Sequence, residues 1–330
     1  MAKRKKKKQS NNGVWIGMGI SGAITSIIVI ALAMSAGSDP ADSQSGKITQ
    51  ASLALQVLDT SSLPVLGEGP TASGSLDELL SLINESAYLL RAGGYAEEKE
   101  AKAREIIEAL HGAAASDFPA NLLDSKIPPK RFESSELRND LEALGKAIST
   151  RIDEHNEMDE FEGAQAIAVS YLKLGEQVFD KNKRLKPRQR GLAMMRAALS
   201  KLRRINQLRF ESGDIDTDLR DKTFENIALW NEAIGDFEKV WNSKLKVIEA
   251  VKNVNTADII LVANEDEDIS FRAFATLRLG YAYYERGDEA NRAAITGAIE
   301  SLKSDADPLV ATAAKEADSI EREEYHELRK

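Results

Sequence analysis

Apolar positions along the chain follow two regimes. Between Gly13 and Gly37 they run almost unbroken, GVWIGMGISGAITSIIVIALAMSAG, without one charged side chain. From Leu76 onward they recur at intervals of three and four. A 23-residue helix from Val14 to Ala36 is about 34 Å long at the helical rise, enough to cross a hydrocarbon core of ~30 Å with modest tilt. The first regime therefore predicts a transmembrane helix at residues 14–36. The second predicts amphipathic helices that bury one face.

Flanking charge sets the orientation. Six cations, Lys3 to Lys8, lie in the basic tail of residues 1–13, and the first charges after the run are Asp39 and Asp42. The positive-inside rule keeps that tail in the cytoplasm and exports the remainder, as in a single-pass protein of a plasma (inner) membrane. A cleaved signal peptide ending near Ala31-Leu32-Ala33 is the rival reading, but its apolar region is only ~7–15 residues long. Gly17 to Gly22 spells GxGxxG, yet a dinucleotide site needs a preceding strand and a helix start facing water. Gly13, Gly17 and Ser21 form a small-residue series that would let two such helices pair as a homodimer.

Residues 37–74 read as a flexible tether, rich in Ser, Thr, Gly and Asp and broken by Pro40, Pro64 and Pro70. Ile48 to Leu58 is apolar enough to dock against something, although no hairpin partner lies nearby. The helical region, 75–330, starts with Ser75 as a cap and Leu76, Leu79, Leu80, Ile83, Ala87 and Leu90 on one face. Gly93-Gly94 ends this helix. A second runs from Tyr95 to His111, closes at Gly112, and makes an antiparallel hairpin with the first.

Pro119, Pro128 and Pro129 forbid a continuous helix, so residues 117–133 form a loop and a candidate subdomain boundary. Longer helices follow at Ser134–Glu154, Asp159–Asp180, Pro187–Glu211 and Asp216–Lys252, the last with a break near Gly235. Ile259 to Val262 suits a helical turn or a short strand, and the helical surroundings favour helix or loop. Ser270–Arg286, Asp288–Ser304 and a helix from Pro308 complete an all-α pattern.

Charge adds a contrast. The formal net charge is −9, but 44 basic residues less the six N-terminal ones leave 38 against 53 acidic, a balance of −15. An acidic exported domain argues against nucleic acid as a partner. Without cysteine there is no disulfide, thiol nucleophile or thiolate metal site.

Residues 273–302 resemble a tetratricopeptide repeat, through Leu279-Gly280, Tyr283 and the turn Gly287-Asp288. The resemblance implies that Gly280 lets a partner helix approach, Tyr283 fills the space between helices, Gly287 ends the first helix and Asp288 caps the second. Arg292 and Thr296 depart from the pattern. Fainter echoes are Tyr171 to Gly175, 105 residues earlier by its Leu-Gly pair and so near three repeats, and Tyr88 with Gly93-Gly94. The implied architecture is a tetratricopeptide-like solenoid of helical hairpins, with an irregular helical bundle as the alternative.

Chemistry is sparse. His111, His155 and His326 are scattered, and no HExxH, GxSxG or Walker glycine loop occurs. Asp153-Glu154-His155 with Glu157 and Asp159 reads as a solvated acidic turn rather than a metal site. Glu265 to Asp268 lacks the alternation and glycine of a calcium loop. No cofactor is implied. From Lys181 to Phe210 there are eleven basic residues and no acidic one. Its dense part, Lys181, Lys183, Arg184, Lys186, Arg188 and Arg190, reads either as a strip that docks an anionic partner or as charge neutralised by acidic helices such as Asp214 to Glu238. The expected function is a membrane-anchored, non-enzymatic scaffold that binds a protein or peptide outside the cytoplasm. A tethered enzyme with a carboxylate-based site, and an exported soluble binding protein, are the alternatives.

Overall fold

The three-and-four spacing becomes helix throughout. A computed structural model describes residues 48, 50–68, 73–92, 96–117, 119–249, 255–285 and 288–328. After a short turn at Gln50–Leu53 come α1 (Leu76–Ala92), α2 (Ala96–Ala115), α3 (Ser135–Glu157), α4 (Phe161–Lys181), α5 (Leu185–Ser212) and α6 (Thr217–Glu249). α7 (Thr256–Glu265), α8 (Ile269–Glu285), α9 (Glu289–Leu302), α10 (Pro308–Asp318) and α11 (Arg322–Leu328) complete the series. Among the described residues there is no strand. The fold is all-α, and residues 47–330 make one compact unit. No helix among the described residues is long and apolar enough to cross a membrane. Residues 14–36, with Gly13, Gly17 and Ser21, lie outside the described residues, as do Gly93, Gly94 and Gly287.

Two helical groups meet on the α4–α5 hairpin. α1, α2 and α3 pack on one another and on α4, while α7, α9 and α10 surround α8. α8 is buried over most of its length, from Ser270 to Ala282 apart from Arg272, so it carries no amphipathic signal. α4 and α5 come closest where a Cβ on Gly191 would stand 2.6 Å from the Gly175 carbonyl oxygen and the Phe179 nitrogen. α6 runs through Gly235 unbroken, because nothing there competes with its helical hydrogen bonds. Gly112 does not end α2, which continues to Ala115. Its missing side chain instead admits the chain entering α1, since a Cβ would sit 2.8 Å from Gly74 Cα.

Two segments expected to be loose are bound. Residues 50–68 form a strap with Leu53, Leu58 and Leu66 buried, which corrects the tether for this stretch. Its backbone is held by far-off groups. Leu53 accepts from the Glu267 N–H at 3.0 Å, the Leu55 N–H donates to Glu267 Oε2 at 2.8 Å, and Pro64 accepts from the Trp230 indole at 2.8 Å. These partners lie over 160 residues away, which is why local pattern read only a tether.

The proline loop is likewise a clasp rather than a boundary. Asn182 Oδ1 accepts the Leu123 and Asp124 N–H groups, and Asp124 in turn accepts those of Lys183 and Arg184. Further along, the Lys130 N–H donates to Glu316, its ammonium to Glu324, and its carbonyl accepts from Tyr281. Phe132 lies 4.7 Å from the ring of Phe274 and 4.8 Å from that of Tyr281. One loop thus joins both helical groups.

Candidate functional site

The basic strip turns inward. Lys181 pairs with Asp117, Arg184 with Glu316, Lys186 with Glu249 and Arg188 with Asp268. Arg190 reaches Glu133 at 2.7 Å and Glu142 at 3.5 Å. Arg188 also lies over the rings of Phe179 and Trp241, at 4.6 and 5.0 Å. Only the Lys183 side chain is exposed. Five of the six cations therefore hold helices and the clasp together, so the docking strip loses its basis. The neutralising carboxylates lie mostly outside Asp214–Glu238, which instead pairs with Arg196 and Arg209 farther along α5.

Leu279 is fully buried. A Cβ on Gly280 would meet the Ala317 carbonyl oxygen at 2.7 Å and its Cα at 2.9 Å, so the helix it seats is α10 and not α9. Tyr283 is half-buried, with the Arg292 guanidinium 5.4 Å above its ring, which gives the departing Arg292 a contact. Asp288 caps α9, accepting the Asn291 N–H at 2.8 Å.

No catalytic geometry emerges around the histidines. His111 Nδ1 lies 2.8 Å from Ser170 Oγ, but Ser170 is completely buried, and burial holds the imidazole below its usual pKa. His155 faces Glu160 at 2.6 Å. Among the described residues no group of three or more His, Asp or Glu side chains is set to hold a metal ion.

Glu176 is a strongly perturbed carboxyl. Burial raises its pKa to about 7, with Asp180 adding to the shift and a Thr60 hydrogen bond and Lys173 opposing it. Thr60 belongs to the strap, so this acid is shielded by the chain that crosses it.

A groove of about 420 Å³ lies between α2 and α3, with Ile83 of α1 at its base. Ala103, Ile106, Ile107, Ala143 and Ala147 line it, with Met158 at its end. Met158 is 53% exposed. α2 and α3 both pack on α1 and scarcely touch each other, which leaves the groove between them. Arg151 spans the rim, donating to Glu100 at 2.6 and 2.9 Å and to Glu154 at 3.1 Å. Burial raises the pKa of Glu100, but the Arg151 hydrogen bond and charge outweigh it, and the net shift is downward. Lys99 faces Glu154 at 3.6 Å. An apolar floor with charges largely satisfied among themselves can bury apolar side chains of a ligand without stranding a charge.

Sequence reading missed this groove because its lining comes from three helices, and alanine gives only a weak periodic signal. The run Ala143, Ala147, Arg151 on one helical face was the available cue. No family model, curated protein or solved structure matches the chain.

Proposed function

We propose that the chain is a membrane-anchored, non-enzymatic scaffold that captures a peptide segment of a partner protein in the α2–α3 groove. The observation that carries this reading is the groove itself: an apolar floor beneath a rim of charges, several of them paired across it. The apolar run at residues 14–36 and the Lys3–Lys8 block support an anchor with the helical body outside the cytoplasm. Mutual packing of α8, α9 and α10 is the arrangement expected of one tetratricopeptide-like hairpin followed by the first helix of the next. The rival carboxylate enzyme is less well served, since Glu176 sits beneath the strap and away from the groove.

Ala147→Trp fills the groove from an interior position. With the full chain in lipid nanodiscs, it should abolish capture of amphipathic peptides from a synthetic library while leaving the melting temperature near that of wild type. Undiminished capture by the Trp variant would sink the groove reading. Intact-mass measurement of membrane-extracted protein should find residues 1–37 present, and a mature N-terminus near Met34 or Gly37 would remove the anchor.

A further inference from the structure

The groove carries an asymmetry that its paired rim does not cancel. Arg151, Lys99, Glu100 and Glu154 answer one another at the end nearest the start of α2. The lining also holds Lys146 and Glu157 of α3, both exposed, and neither forms an ion pair among the described residues. They are eleven residues apart on one helix, about three turns, so both project from the same face roughly 16 Å apart. On α3 the paired Arg151 and Glu154 lie between them, while the small floor residues Ala143 and Ala147 lie at the Lys146 end, with Ala103 on α2. Small floor residues leave room for large side chains arriving from a partner helix at i, i+3/i+4 and i+7.

We infer that the groove takes an amphipathic helix of about four turns that lies parallel to α3, with an acidic residue in its first turn and a basic residue about three turns later. The acid faces Lys146 and the base faces Glu157. This rests on the groove reading above and adds the polarity of the occupant. A helix stabilises negative side chains near its N-terminus and positive ones near its C-terminus. A parallel, acid-first helix therefore satisfies its own dipole and the groove together. An antiparallel helix meeting the same two charges would place a base in its first turn and an acid in its last, against its dipole.

Two synthetic helical peptides of identical composition separate the cases, with leucines at the apolar positions. One has glutamate first and lysine three turns on, and the other has the order exchanged. Binding is read by fluorescence anisotropy against the full chain in nanodiscs, with empty nanodiscs subtracted. The acid-first peptide should bind about tenfold tighter at low salt, a margin that shrinks toward physiological ionic strength because both contacts are exposed. Exchanging the groove charges, Lys146→Glu with Glu157→Lys, should reverse the preference without changing the melting temperature. Equal binding of both peptides, abolished by Ala147→Trp, leaves the groove and overturns its polarity. A base-first preference in wild type also overturns it. Failure of both peptides to bind overturns the groove as a docking site as well.

Discussion

At the scale of single residues, the strap gives one carboxyl an unusual proton affinity. Glu176 holds its proton to about pH 7 in the folded chain, against an ordinary value near 4.3 once exposed. Its folded pKa is raised, so the stability linked to that proton is fully present below about pH 4.3 and is lost as pH rises through about 7. Glu176→Gln should abolish this part of the slope and melt higher than wild type at pH 8. Equal melting of the two proteins across pH 5–8 would show that the carboxyl is not shielded. His111 acts in the opposite sense, since burial lowers its pKa and acid must charge it, which is why the comparison is between variants. The buried ion pair of Lys244 with Asp266, at 3.0 Å and almost free of solvent, makes a second test. Lys244→Met leaves Asp266 without its cation and should cost ~3–5 kcal/mol. Lys244→Met with Asp266→Leu should recover most of that loss in a denaturant melt. Neither residue was legible as core. Asp266 belongs to an acidic run that reads as a polar linker, and a charge is committed to burial only by a partner that folding brings to it.

At the scale of elements, glycines that look alike in sequence do different work. Gly280 has the α10 backbone against it, so even Gly280→Ala should overpack that crossing and cost ~1–3 kcal/mol. Gly297, in α9, has nothing within 4 Å of where a Cβ would stand. Gly297→Ala should therefore stabilise by about 0.8–1 kcal/mol, the difference in helix propensity. Thermal melts that move both variants in the same direction would refute the distinction. Helix existence was plainly legible, because Leu137, Leu141, Leu144, Ile148 and Ile152 on α3 keep the spacing that burial requires. Crossing partners were not. Leu279-Gly280 announces a close approach, but only the three-dimensional fold selects α10 over α9. Gly175 repeats the lesson: its Leu-Gly pair was visible, whereas Gly191, which meets it, sits in a basic stretch that drew the eye to charge.

For the whole molecule, long-range bonds decide what counts as body and what as linker. The three buried strap leucines and the clasp around Lys130 join segments whose local composition, rich in Ser, Gly and Pro, reads as loose chain. The candidate groove has the same origin, since no single helix contains it. If the strap is one cooperative unit at the low-stability end of the fold, Glu267→Ala should speed amide exchange at Leu55 about ten- to hundredfold, the loss of one hydrogen bond to a carboxylate. Exchange at Leu174, in the α4 core, should stay unchanged. Equal acceleration at both sites would mean that the strap opens only when everything does.

The distance in sequence between the strap and what holds it also sets a clock. Leu55 meets Glu267 across 212 residues, and a ribosome adds about 5–20 residues per second. From the moment Leu55 is joined to the growing chain, about 10–40 s therefore pass before its partner has been made at all. During that interval the Leu53–Leu55 end of the strap travels without Glu267, which holds it in the folded chain. This end of the strap is thus completed late, so a translation product stalled before Glu267 lacks the group that holds it, a ready target for whatever cellular machinery inspects unfinished proteins.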